Sequence, residues 1–190
     1  MGEPEAEVLR QLAEVGKRLP ALEGLPIRLH FRPDLRAWRG RLVSGSTRGE
    51  EVHGGSQLRK RLIVLDRALL NRPGELKRIL IHEVFHFVWL RIPQAVRLSY
   101  EGMLRRELAG RARGELGWSA ELRKARLGTE DPAARSRRWR DYACESFCDT
   151  AAWLYSGLKK HEEFTLKPRF CQARRRWWAA LVGARQTLPV

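Results

Sequence analysis

The chain has 190 residues, enough for one domain or for one domain with an appendage. With 43% hydrophobic residues and seven Trp it can bury a sizeable core, and no run of 18 or more apolar residues marks a transmembrane helix. Lys and Arg number 37 against 22 Asp and Glu, and the net charge of +15 admits a nucleic-acid or acidic partner.

The N-terminus, Met1 to Glu7, is acidic and lacks the basic-then-apolar order of a signal peptide. Glu5 to Leu19 reads as an amphipathic helix with Val8, Leu12, Val15 and Leu19 on one stripe. Pro20, Gly24 and Pro26 then break helical order. Ile27 to Phe31 alternates apolar and polar residues, as a half-buried strand does, and Ala37 to Val43 is a weaker strand candidate. Ser44 to Arg48 and Gly54-Gly55-Ser56 read as turns. Arg61 to Leu65 is the clearest strand.

Pro73 followed by Glu75 is a helix-start signal, and the helix it opens runs to about Leu90 before Pro93 ends it. This helix is apolar on nearly every side after Arg78, the pattern of a buried helix. Gln94 to Leu127 is helical in composition, and Gly110, Gly114 and Gly117 divide it in two. Asp131-Pro132 predicts another helix start, with Asp131 as N-cap and a run to about Ser156, where Gly157 stops it. A last helix is expected around Phe170 to Ala184. The order predicts an α+β domain with a small mixed sheet and a helical C-terminal half. It would form a single unit over 1–190, with an α/β part at 1–93 and a helical part at 94–190.

The buried helix carries His82-Glu83-Val84-Phe85-His86. Positions i and i+4 share a helix face, so both imidazoles can reach one zinc ion, while Glu83 can reach a water on it as general base. A catalytic zinc needs three protein ligands, so a third must come from elsewhere. Glu145 and Asp149 lie four apart among Ala143, Phe147 and Ala151, and two acids on one face of a packed helix call for a nearby cation.

His82-Glu83-x-x-His86 followed by Glu145-x-x-x-Asp149 resembles the signature of gluzincins, the zincin-like metallopeptidases whose third zinc ligand is Glu. The resemblance implies Glu145 as that ligand and Asp149 as the carboxylate that hydrogen-bonds and orients His82. It also implies a short strand before the histidine helix, here Arg61 to Leu65, and a sheet edge that can hold a substrate backbone. The activity implied is hydrolysis of peptide bonds in a polypeptide substrate by a zinc-activated water, with Glu83 as general base. The resemblance covers two short motifs and a rough element order. The fifty-eight residues between His86 and Glu145 are more than the best-known gluzincins have. Asp149, Asp141 or His161 are alternative third ligands.

Such sites usually add a donor to the developing oxyanion. Tyr142 and Tyr155 are candidates, as are Tyr100, His53 and His161. Cys144 and Cys148 also share a helix face, so a Cys₂His₂ zinc set is an alternative, although small buried Cys are more often core. Three cysteines without zinc-ribbon spacing fit a reduced, cytoplasmic setting.

The charge leaves two other readings. One is a nucleic-acid-associated protease similar to the SprT-like zincins, which the apparent Glu ligand and the absence of a cysteine ribbon disfavour. The other is a non-catalytic zinc-bound module in which Arg174-Arg175-Arg176-Trp177-Trp178 binds nucleic acid. Thirty of the cations are Arg and they are dispersed, which a GC-rich genome explains without a nucleic-acid partner.

Overall fold

The computed structural model describes Arg10 and residues 13–190. Residues 13–18 are helical (α1), and most of the rest of the predicted first helix lies outside the described residues. Short strands follow: β1 (Leu22–Glu23), β2 (Arg28–Arg32), β3 (Leu35–Trp38), β4 (Arg41–Ser44), β5 (Glu50–Glu51), β6 (Gly54–Gln57) and β7 (Leu62–Asp66). Then come α2 (Pro73–Arg91), α3 (Gln94–Ala109), α4 (Trp118–Lys124), α5 (Asp131–Ala134), α6 (Arg137–Tyr155), α7 (Pro168–Ala184) and a terminal strand β8 (Leu188–Pro189). The architecture is mixed α+β. No helix among the described residues is long and apolar enough to cross a membrane.

β7 is the centre of the main sheet. It pairs in parallel with β2 (Leu29 opposite Ile63) and antiparallel with β6 (Ser56 opposite Ile63). Its Leu62-Ile63-Val64-Leu65 run is buried on both faces because a different layer covers each. Ile63 and Leu65 face the helices, and Leu62 and Val64 face Leu35, Leu42 and Val52. The second covering layer is a small sheet of order β4-β3-β5. The predicted strand over Ala37 to Val43 is therefore two strands, turned at Arg39-Gly40, where both residues have positive φ (46° and 73°). Two consecutive positive-φ residues give the turn that matches strand twist in a hairpin.

The predicted turn at Gly54-Gly55-Ser56 is strand β6. Its glycines are there for close approach. A Cβ on Gly54 would lie 2.8 Å from Leu65 Cδ2 and 2.9 Å from Ile79 Cγ2. β6 thus lies tight against α2, as an edge strand of its sheet.

α2 is buried as its all-round apolar composition implies, with Ile81, Phe85, Phe87 and Val88 fully enclosed. α6 is its main packing partner. Phe85, Phe147, Trp178 and Tyr155 form an aromatic cluster between α2, α6 and α7, with Phe147 and Trp178 ring centroids 4.6 Å apart. Each buried aromatic of this kind contributes about 1.5–3 kcal/mol by leaving water. The core draws on both 1–93 and 94–190.

The single helix predicted from Asp131 to Ser156 is broken. α5 is one turn, Arg135 adopts a left-handed conformation (φ 46°), and Ser136 caps α6 by accepting from Trp139 N at 3.2 Å. The break turns the Arg135 guanidinium onto buried Glu101, with two contacts of 2.8 Å, and Trp139 Nε1 donates to the same carboxylate at 3.0 Å. Asp131 does not cap the helix. Its Oδ2 instead accepts from Gly128 N at 2.7 Å. The two-residue strand β8, too short to show any sequence pattern, pairs in parallel with β1.

Candidate metal centre

The α2–α6 packing brings the two sequence motifs face to face. His82 Nε2 lies 3.1 Å from His86 Nε2 and 3.3 Å from Glu145 Oε2, and His86 Nε2 lies 3.8 Å from the same oxygen. Three donors on a tetrahedral zinc, each bonded at 2.0–2.2 Å, would stand about 3.3–3.5 Å apart. The three contacts bracket that value, so the residues present fit the ion. The donor chemistry fits as well, with two imidazoles and a carboxylate in a largely dry setting.

Asp149 sits one helical turn beyond Glu145. Its Oδ1 accepts from His82 Nδ1 at 2.7 Å, which leaves Nε2 as the nitrogen that faces the cluster. Its Oδ2 accepts from Ala120 N in α4 at 2.9 Å. Gly117, just before α4, explains how that helix comes so near: a Cβ there would fall 2.2 Å from Asp149 Cγ. The sequence marks Gly117 only as a divider between helices, and its structural use is this approach.

Electrostatics concentrate here. Burial would lower the pKa of His82, but the Asp149 carboxylate, and then Glu145, outweigh it and hold the imidazole well above its usual value. Burial would raise Glu145, and contacts with His82, His86 and Arg123 overcome this to depress it to about 2. The carboxylate is therefore ionised at any pH at which a metal binds. Arg123 of α4 reaches Glu145 Oε1 with its Nη2 at 3.3 Å, leaving Oε2 to the imidazoles. Nothing in the local sequence around Arg123 distinguishes it from the other dispersed arginines.

Glu83, beside His82 on α2, meets β6. Ser56 Oγ contacts both the Glu83 carboxylate, at 2.6 Å, and the Glu83 carbonyl, at 2.9 Å. The sequence reading places Ser56 in a turn and so misses this partner. Beside β6, and bounded by the β3–β4 hairpin, is a cleft of about 670 Å³ lined by Leu42, Gly55, Ser56 and Gln57, with Arg41 and Lys60 at its sides.

The second imidazole has a sulfur neighbour. His86 Nδ1 lies 3.4 Å from Cys144 Sγ, and Cys148 completes a His86–Cys144–Cys148 group. Burial would lower His86, but Cys144 outweighs it and lifts the imidazole to about 9. A hydrogen bond from Cys148, helped by His86, brings the Cys144 thiol down to about 6 against the effect of burial. The thiols gather around one imidazole only, because His82 turns to Glu145. The alternative Cys₂His₂ set is therefore not assembled among the described residues.

The expected oxyanion donors lie elsewhere. Tyr142 is fully buried and donates to Glu115 Oε1 at 2.5 Å, and Tyr155 Oη accepts from Trp178 Nε1 at 2.7 Å inside the aromatic cluster. Tyr100 is buried against Ser146 and Thr150. Each tyrosine satisfies its hydroxyl in the core, the ordinary fate of a buried phenol. His161 pairs with Glu75 at 2.8 Å at the start of α2, and Asp141 faces solvent near Arg137, so neither is an alternative third ligand. His53 is exposed at the approach to β6.

No family model matches the chain, no characterised protein matches it, and no solved structure matches its fold.

Proposed function

We propose that this protein is a zinc-dependent metallopeptidase of the gluzincin type, with His82, His86 and Glu145 as zinc ligands. The observation that carries the reading is the 3.1, 3.3 and 3.8 Å triangle of His82 Nε2, His86 Nε2 and Glu145 Oε2, with Asp149 fixing the first imidazole. Either motif alone arises by chance. Their meeting across two helices separated by 45 residues of chain (91 to 137) is the added support. The short strand β7 before the histidine helix, and the zincin-like sheet edge at β6, are consistent with the reading.

Bound zinc would supply Lewis acidity, bringing the ionisation of water towards about pH 7. Glu83 has the separate task of accepting the proton as water attacks a carbonyl carbon and passing it to the leaving amine. Ser56 holds the Glu83 carboxylate at 2.6 Å against the β6 edge. An extended peptide laid along β6 would exchange backbone hydrogen bonds with that edge, which the parent sheet leaves open. The glycines of β6 keep this floor low. Arg123, which pairs with Glu145 Oε1 at 3.3 Å, would be a cation available to a carbonyl oxygen of a bound chain.

The test is a pair of measurements on one variant. Glu83→Gln is expected to keep metal at one equivalent, as read by atomic emission, while losing casein hydrolysis by about 10²-fold or more. Chelation should stop hydrolysis by the parent protein, and zinc should restore it. A Glu83→Gln protein that retains both its metal and its turnover removes the general-base role. A parent protein that binds no zinc removes the whole reading.

A further inference from the structure

We propose that the groove between α3 and α7 binds the phosphate backbone of a nucleic-acid strand. The first ground is a segregation of charge that the dispersed sequence pattern hides. α7 contains Arg169, Arg174, Arg175 and Arg176 and no Asp or Glu. α3 contains two acids, Glu101 and Glu107, and both are buried (1% and 3% exposed). Their charge is neutralised inward, Glu101 by Arg105 and Arg135 and Glu107 by Arg174 at 2.7 Å. The outer face of the helix pair is left with cations. Arg106 and Arg176 are exposed on it, Arg185 follows α7, and none of the three forms an ion pair among the described residues, while Arg175 lies over the Trp153 ring of α6 at 4.8 Å. Some surface arginines elsewhere find acids, as Arg36 does with Glu51 and Arg137 with Asp141, and others such as Arg39 and Arg41 find none among the described residues, so the groove is set apart by clustering rather than by lack of partners.

The second ground is shape. Two cavities lie along the α3–α7 seam, of about 610 and about 490 Å³, and Trp177 lines both. Ser99, Leu181 and Arg185 border the first, and Arg106, Phe170 and Arg176 the second. Trp177 is fixed in the floor: its Nε1 donates to Ser99 Oγ at 3.0 Å, and its ring meets Tyr100 edge-on at 4.8 Å. A recessed indole between arginine banks offers a stacking surface and phosphate contacts together, the combination single-strand sites use.

A flat bilayer is a poorer match. A membrane-surface helix turns aromatic and aliphatic side chains outward, whereas among the described residues the exposed large apolar side chains (Leu25, Trp38, Leu90, Leu98 and Trp118) include none on α7 and Leu98 alone on α3. This inference is independent of the metal centre. It would place whatever the protein acts on near a nucleic acid.

The experiment is fluorescence anisotropy with a labelled oligonucleotide of about 20 residues, single-stranded and then duplex, titrated with the full-length protein at several salt concentrations. The parent protein is expected to bind saturably, with log K falling by about 0.7–0.9 per phosphate contact for each decade of salt. Arg106→Glu with Arg176→Glu should weaken binding at least about tenfold and flatten that slope by about 1–2. The milder pair Arg176→Gln with Arg185→Gln, checked for an unchanged melting curve, should weaken it in the same direction. Arg39→Glu with Arg41→Glu on the β3–β4 hairpin makes the same change in net charge and should alter affinity by less than about twofold.

Equal losses from the hairpin and groove pairs would overturn the proposal, since diffuse attraction to net charge would then explain binding. Absence of saturable binding to either oligonucleotide would overturn it as well. So would binding to phosphatidylserine vesicles, but not to oligonucleotides, that depends on the groove arginines.

Discussion

Asp149 is where one carboxylate settles the chemistry of a neighbour. Its two oxygens are both used, one on His82 Nδ1 and one on Ala120 N, so the imidazole is held in one orientation with its Nδ1 proton kept on the Asp149 side. Asp149→Asn keeps the volume but loses the anionic acceptor, and it should weaken zinc binding by about 10–100-fold, measured by chelator competition. Gly117→Ala should do the same without touching the site chemically, because the new Cβ would displace the Asp149 carboxylate it would otherwise overlap. Unchanged affinity in both variants would dismiss the orienting role.

The proton on His82 gives a second prediction. The metal-free imidazole keeps its charge well above the usual range because Asp149 and Glu145 outweigh the effect of burial. The stabilisation from that charge is complete below about pH 6.5, the ordinary imidazole value, and is lost as pH rises through the raised one. Zinc must displace the same proton, so its affinity should climb through neutral pH. Because His86 is lifted to about 9 as well, calorimetry in buffers of different ionisation enthalpy should register about two protons released per metal near neutral pH, one from each imidazole. The paired spacings made these candidate ligands readable in the chain, since i and i+4 fix a shared helix face whatever the fold. Ser56 and Arg123 carry no such local constraint. They reach the site only through the packing of β6 and α4.

At the scale of elements, β6 shows how a tight approach can resemble a turn. Gly-Gly-Ser favours loops when read locally, because glycine forfeits the side chain that would pack a strand. Here the missing side chains are the reason the strand fits. Gly54 faces Leu65 and Ile79, and Gly55 faces Leu42. Leu65 is fully buried, so an added methyl at Gly54 meets a wall that does not yield, whereas Leu42 is partly exposed and can swing aside. Gly54→Ala should therefore cost about 1–3 kcal/mol in a denaturant titration, and Gly55→Ala clearly less. Equal costs would place the tight contact elsewhere.

The long helices were legible from caps and periodicity, including the Pro73 start and the Pro93 stop of α2. The break between α5 and α6 was not, because its cause is distant. Arg135 leaves helical geometry to pair with Glu101, 34 residues earlier in the chain. A short-range signal such as Asp131-Pro132 cannot register a partner at that separation.

At the scale of the whole molecule, a buried charge cluster joins α3, the segment before α4 and α7, alongside their apolar contacts. Arg174 of α7 is fully enclosed and reaches Glu107 of α3 at 2.7 Å and Glu115, in the segment before α4, at 2.8 Å. The Glu115 contact is one of charge without hydrogen-bond alignment at Oε2, while Glu115 Oε1 accepts from Tyr142 and from Lys124. Burial would raise Glu115, yet Arg174 and then Lys124 keep its pKa below the usual carboxylate value. Burial likewise drives Tyr142 upward, and the neighbouring Glu115 charge adds to it, so the phenol stays protonated and donates.

Sequence periodicity could not announce this cluster, because Arg174 falls in an arginine run that reads as a solvated face. One of the run is the most buried cation in the protein, and the others are left to the surface. Removing the guanidinium alone strands Glu107 and leaves Glu115 with Lys124 as its one cation, so Arg174→Met should cost about 3–5 kcal/mol. Replacing the trio together, Arg174→Met with Glu107→Leu and Glu115→Gln, removes the stranded charges while keeping an acceptor for the buried Tyr142 hydroxyl, and should recover most of that loss. Denaturant midpoints at matched slope read both variants. A single variant as stable as the parent, or a triple variant no better than the single, would mean that the helical half is held by its apolar contacts rather than by this cluster.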